Sequence, residues 1–202
     1  MENLERRDFI KTSAVVAGGA MLSSLPLSGA YAAGSDVIKV ALVGCGGRGT
    51  GATFDALSSA MNIKVVALAD AFKDNLESTY KTLKEKWQDK IDVSDNHKFV
   101  GFDAYKDAIQ LADVVILATP PGFRPTHFEE AIRQGKHVFM EKPVAVDIPG
   151  VQQVIRVAAE AKRKKLNVVV GLQRRYQTNY REAIKRIHEG AIGDVTSGQV
   201  YW

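Results

Sequence analysis

The sequence predicts a doubly wound α/β domain, a parallel sheet covered by helices on both faces. Two observations carry this. Short runs that are apolar on both faces recur along the chain and leave no face for water. Between them lie stretches with apolar residues at helical spacing, the alternation that joins parallel strands through crossover helices.

The first run, Val37–Val43, ends in a glycine cluster, after which Thr50–Ser59 reads as a helix. Ile63–Ala69 is the second strand. Asp74–Gln88 follows as a helix because Leu76, Tyr80, Leu83 and Trp87 fall on one face. A short helix, Ala104–Gln110, precedes the third run, Val114–Ala118. Thr126–Gln134 is helical and stopped by Gly135, and His137–Met140 is the next strand. Val151–Lys165 carries Val151, Val154, Ile155 and Ala158 at helical spacing, and Val168–Val170 closes the pattern. Residues 34–171 thus make one domain of ordinary size. From residue 172 the style changes. Thr178–Glu189 is a polar amphipathic helix ended by Gly190, and Val195–Trp202 reads as the opening strand of a second, α+β substrate domain, incomplete within residues 172–202. An aromatic strand without a partner is an edge that folded proteins avoid, so it is expected to continue into further chain or to pair with another copy.

Residues 1–33 differ from everything after them. Ala14–Leu27 is an Ala, Gly, Val and Leu run, too short and too rich in small residues for a membrane span of about 20 strongly apolar residues. It reads as the apolar core of a signal peptide, and Ala30-Tyr31-Ala32 supplies the small-residue pattern that signal peptidase cuts after. Arg6-Arg7-Asp8-Phe9-Ile10-Lys11 resembles the twin-arginine export signal. The expectation is a chain exported through the twin-arginine machinery, starting near Ala33, periplasmic and without a stable membrane anchor.

Charge and cysteine usage narrow the rest. The formal charge is +4, with 27 Lys and Arg against 23 Asp and Glu, and no dense basic stripe, which argues against nucleic acid. The run Lys162-Arg163-Lys164-Lys165 ends a helix, where cations complement the macrodipole and stay solvated. One cysteine, Cys45, excludes an intramolecular disulfide. No His and Asn partner pattern makes it a nucleophile, so it reads as a small packing residue. No metal is expected.

Chemistry concentrates at two places. The first is Gly44-Cys45-Gly46-Gly47-Arg48-Gly49, a Gly-x-Gly-x-x-Gly that follows a strand and opens a helix. Gly44 permits the tight turn, Gly46 lets backbone approach a pyrophosphate, and Gly49 lets helix and strand pack closely. The pyrophosphate then meets the positive helix N-terminus. Asp70, at the end of the second strand, stands where a carboxylate binds the adenosine ribose hydroxyls and repels a 2′-phosphate, so NAD is favoured over NADP. This is the pattern of a Rossmann-type sheet. The second place is Gly135-Lys136-His137-Val138-Phe139-Met140-Glu141-Lys142-Pro143, which sets Glu141 and Lys142 at the carboxyl end of a parallel strand, where open α/β sheets bind ligands.

The glycine motif, then Ala118-Thr119-Pro120, then Gly-Lys-His-Val-x-x-Glu-Lys-Pro, in that order, resemble the glucose-fructose oxidoreductase and inositol dehydrogenase (Gfo/Idh/MocA) family from about Lys39 onward. The resemblance implies a nicotinamide-dependent oxidoreductase acting on sugars or cyclitols, a homo-oligomer at full length. It implies that Lys142 lies beside nicotinamide and substrate as a polarising cation, with Pro143 often cis. Glu141 and Thr119-Pro120 would line the nicotinamide half, Gln173 would be a further cofactor contact, and Arg175 and Tyr176 would border the substrate cleft. Departures from the family pattern are Pro121 and Arg124, where many members have Asn and His. His127, a helical turn away, is not expected to take that role, and His188 reads as surface. The family's second domain and its usual catalytic histidine fall outside the 202 residues. Two alternatives stand beside an oxidoreductase. One is an NAD-dependent glycosidase of the same superfamily, whose members usually replace the lysine that is Lys142 here. The other is a non-catalytic dinucleotide-binding module.

Overall fold

The computed structural model describes residues 37–59 and 61–201. The expected signal peptide, residues 1–33, lies outside them. Among the described residues six strands form one parallel sheet: β1 (Ile38–Val43), β2 (Ile63–Asp70), β3 (Lys98–Val100), β4 (Val114–Leu117), β5 (His137–Met140) and β6 (Val168–Val170). Their order is β3-β2-β1-β4-β5-β6, the doubly wound arrangement, so the chain reverses its direction of winding between β1 and β4. The helices are α1 (Gly47–Leu57), α2 (Lys73–Lys86), α3 (Ala104–Gln110), α4 (Arg124–Arg133), α5 (Ile148–Arg163), α6 (Gln173–Tyr176) and α7 (Thr178–His188).

The period of two along β1 shows why both faces must be apolar. Val40 and Leu42 pack into one layer with Leu57, Leu76 and Leu83 of α1 and α2. Ala41 and Val43 point the other way, into a layer with Ile109, Phe128, Ile132 and Val157 of α3, α4 and α5. Each of these side chains is buried.

Several boundaries differ from the sequence expectation for identifiable reasons. α5 begins at Ile148 rather than Val151, because the Asp147 carboxylate accepts the Gly150 N–H at 2.8 Å and Pro149 occupies the first turn. α4 likewise starts at Arg124 rather than Thr126, with a proline in its first turn. β3 was not expected, being three residues long, opening on the polar Lys98 and following His97. Residues 173–176, for which no helix was expected, form the short helix α6. The expected strand Val195–Trp202 is corrected: residues 195–201 form no ladder among the described residues, and Val200 and Tyr201 are exposed. A strand exists only where a second backbone satisfies it, and none of the described residues supplies one there.

Candidate functional site

A cleft of about 600 Å³ opens at the carboxyl ends of the strands, above the reversal between β1 and β4. That is where open α/β sheets bind ligands, and the volume suits one. Gly44, Gly46, Arg48 and Asp70 line one side, and Thr119, Pro120, Glu141 and Lys142 the other.

The glycine side is shaped by backbone. Gly44 has φ of +98°, and a Cβ there would lie 2.5 Å from the Thr119 nitrogen. Gly49 is tighter, since its Cβ would fall 1.9 Å from the Gly44 oxygen, so α1 packs on the end of β1 only because Gly49 lacks a side chain, while the bare Gly44 lets the loop lie against the end of β4. Gly46 is different. A Cβ there meets nothing within 4 Å, which leaves open space in front of the loop. No side chain caps the first turn of α1 and no acidic residue sits in it, so its positive end faces the cleft uncompensated. An open, electropositive, side-chain-free cradle fits the pyrophosphate of a dinucleotide.

Asp70 braces this loop. Its Oδ2 accepts the Cys45 N–H at 2.6 Å and its Oδ1 the Phe72 N–H at 2.9 Å. A carboxylate offers about four acceptor sites, so lone pairs remain for hydroxyls in the cleft. Cys45 is buried with Sγ 3.5 Å from the Ala69 oxygen. Burial, with Asp70 nearby, pushes its thiol far above the ordinary value and keeps it unreactive, consistent with packing.

The opposite wall is held by buried side chains. Arg124 is fully buried and donates to the backbone oxygens of both Glu141 and Thr119, fastening the ends of β5 and β4 together. Burial pulls its guanidinium below the ordinary value, opposed by the Glu141 carboxylate. Glu141 is itself 3% exposed, and its carboxylate pairs with Arg48 across the cleft, Nη2 to Oε1 at 2.7 Å. Gly171 closes over it, for a Cβ there would lie 2.9 Å from Oε1. The peptide after Glu141 leads to Lys142, which is exposed on the cleft wall, and the Lys142–Pro143 bond is cis. Behind this wall His127 is buried, its Nδ1 3.1 Å from Thr119 Oγ1 and its ring 4.2 Å from that of Tyr105. Burial first, and the Arg124 charge second, lower its pKa to about 4, so it is neutral at pH 7.

The cleft therefore gathers most of the sequence-assigned residues. Gly47 and Gly49 lie in the first turn of α1 behind it. Gln173, Arg175 and Tyr176 are placed together on α6, exposed and outside the cleft lining. Sequence reasoning missed Arg124, His127 and Tyr105 as lining residues, and also the rim aromatics Phe72, Phe102 and Phe123. Arg124 had a signal: a cation at a helix N-terminus with no acid in the first turn opposes the macrodipole, and so needs acceptors elsewhere.

Known proteins resemble the chain in sequence and fold. A glycosyl hydrolase family 109 protein of Solibacter usitatus is 26% identical over 213 residues, covering 98% of this chain and 45% of that protein. Inositol 2-dehydrogenase of Rhizobium meliloti is 34% identical over 92 residues, 44% of this chain and 27% of the relative. The solved scyllo-inositol dehydrogenase of Lactobacillus casei matches in its apo form with a TM-score of 0.62 at 28% identity, over 80% of this chain and 44% of that one. Its complex with NAD(H) and scyllo-inositol matches with a TM-score of 0.61 at 25% identity, with the same coverage. The chain spans less than half the length of these relatives. Residues 38–172, from β1 to the residue after Gly171, match the oxidoreductase family with an NAD-binding Rossmann fold, and the chain belongs to this Gfo/Idh/MocA family.

Proposed function

We propose that the chain is the cofactor-binding part of an exported oxidoreductase that moves hydride between a CH–OH group of a sugar or cyclitol and a nicotinamide cofactor, with NAD favoured over NADP. One observation carries the reading: Lys142, between the buried Glu141 and the cis Pro143, stands on the same cleft whose other wall is the glycine cradle. Gly44, Gly46 and the first turn of α1 would hold the pyrophosphate, Asp70 the adenosine ribose, and Phe72 and Phe102 would give the adenine an apolar face. When bound, the nicotinamide supplies the hydride acceptor or donor. Thr119, Pro120 and Glu141 would shape its pocket, with Gln173 as a further contact and Arg175 and Tyr176 towards substrate. Lys142 presents an ammonium to the substrate oxygen, where negative charge grows in the transition state. Relatives named for inositol, one solved with NAD(H) and scyllo-inositol, support the cyclitol class.

Asp70 disfavours a 2′-phosphate, while Lys73, which opens α2, leaves NADP some purchase. The Arg6-Arg7 signal supports export through the twin-arginine route, which carries folded proteins and lets a dinucleotide be bound before transport and kept through each cycle. Replacing both arginines by lysine should leave precursor in the cytoplasm, and unchanged export would refute that part. A homo-oligomer is the expected assembly at full length.

A second reading is an NAD-dependent glycosidase, favoured by the glycosyl hydrolase family 109 relative that aligns with nearly the whole chain. The test is to supply NAD, cyclitols and sugars to the full-length protein and follow reduced nicotinamide. Net formation that falls by about two orders of magnitude in kcat for Lys142→Met, with cofactor still bound, supports the oxidoreductase. Cleavage of nitrophenyl glycosides without net reduced nicotinamide supports the glycosidase, and failure of the protein to bind either NAD or NADP overturns both.

A further inference from the structure

α2 buries Leu76 and Leu83 against the sheet, and between them on the same face it buries Thr79, 3% exposed. A hydroxyl on an apolar helical face is stable there only with a polar partner. Thr79 Oγ1 donates to the backbone oxygen of Cys45 at 2.7 Å, across 34 residues of sequence. It also contacts Thr50 Oγ1 at 2.8 Å, and Thr50 Oγ1 reaches the Gly46 oxygen at 3.0 Å. Two hydroxyl hydrogens serve three contacts, so the two threonines act as one unit beneath the loop. Cys45 is thereby gripped at both ends, its N–H by Asp70 and its oxygen by Thr79. Gly44 is tied as well, its N–H donating to the Ala69 oxygen at 2.8 Å. With the Cys45 and Gly46 oxygens turned inward, the loop presents its open face to the cleft without rearranging.

We propose that Thr79, assisted by Thr50, is a positioning residue for dinucleotide binding: from the back of the loop it fixes the orientation of the Gly44–Gly49 turn that receives the pyrophosphate. The inference rests on the dinucleotide reading of the cleft. Valine matches threonine in shape and lacks only the hydroxyl, so Thr79→Val isolates the contact, and Thr79→Ser restores it.

The experiment titrates NAD calorimetrically, and inorganic pyrophosphate by backbone amide shifts at residues 46–49, into the wild-type chain and its variants. Thr79→Val should weaken NAD by about tenfold and remove the pyrophosphate shifts, whereas Thr79→Ser should stay within about twofold of wild type. Should Thr79→Val fail to fold, Thr50→Val on the half-buried side of the pair should weaken NAD by about threefold. Wild-type affinity in a folded Thr79→Val, or in Thr50→Val where that variant has to stand in, overturns the inference while leaving the dinucleotide reading intact. No binding of NAD or NADP to the wild-type chain would instead overturn the reading itself.

Discussion

The two walls of the cleft reach rigidity by different routes. At the ends of β1 and β2 the wall is backbone: two glycines too crowded for any Cβ, a third with open space before it, and an aspartate and a threonine holding main-chain groups from behind. At the ends of β4 and β5 the wall is a buried polar network in which Arg124, His127 and Glu141 hold two loops whose carbonyls point inward. A backbone wall is specified by what residues must not have, and it tolerates nothing at the crowded positions. A side-chain wall is specified by partners, and its strength depends on charge and pH.

The sharpest contrast lies within the glycine motif. Gly49→Ala drives a Cβ into the Gly44 oxygen at 1.9 Å and should cost about 3 kcal/mol or more in chemical denaturation, with loss of nucleotide binding. Gly46→Ala meets nothing within 4 Å and should change stability by less than about 0.5 kcal/mol while weakening NAD. Equal stability effects at the two positions would break the distinction.

Next in size is the other wall. Arg124→Met leaves the Glu141 and Thr119 oxygens buried without their donor and should lower the unfolding free energy by about 2 to 3 kcal/mol. Arg124→Lys should recover only part of this, since one ammonium does not reproduce the planar fork that spans both oxygens.

His127 makes this wall sensitive to acid. Its folded value of about 4 lies below the ordinary 6.5, so the unfolded chain takes up a proton that the folded chain refuses. Stability is therefore lost as pH falls from about 6.5 towards 4, by about 3 kcal/mol. Urea unfolding at about pH 7 and about pH 4.5 should show that loss in the wild type and a smaller one in His127→Phe. Identical pH dependence would remove His127 from the account. On this wall the smallest effect is expected at Gly171→Ala, where the carboxylate of Glu141 must shift, at a cost of about 1 kcal/mol and with loosening of the Arg48 pair.

The glycine wall was legible in the sequence because its demands fall on residue types at local spacing. Gly44, Gly49 and Asp70 could be assigned from a motif, a strand and a distance along the chain. The doubly wound parallel sheet followed from apolar runs and helical spacing in the same way, apart from the short β3 and the order of the strands, which the structure supplies. The side-chain wall was only half legible. Glu141 and Lys142 stood out by their place after a strand, but Arg124, His127 and Thr79 act through partners that only the fold brings near: Arg124 meets an oxygen 17 residues away and Thr79 one 34 residues away. Nor could the unpaired course of residues 195–201 be read, since apolar and aromatic composition favours a strand without supplying the backbone it needs.

The central claim is that the backbone wall binds the dinucleotide while the other wall places Lys142 for chemistry. Calorimetric titration of NAD into the wild-type chain, Gly46→Val and Lys142→Met tests it most directly. The account predicts no detectable binding to a folded Gly46→Val, and an affinity for Lys142→Met within about threefold of wild type. Binding lost equally in both variants, or retained in Gly46→Val, would contradict it.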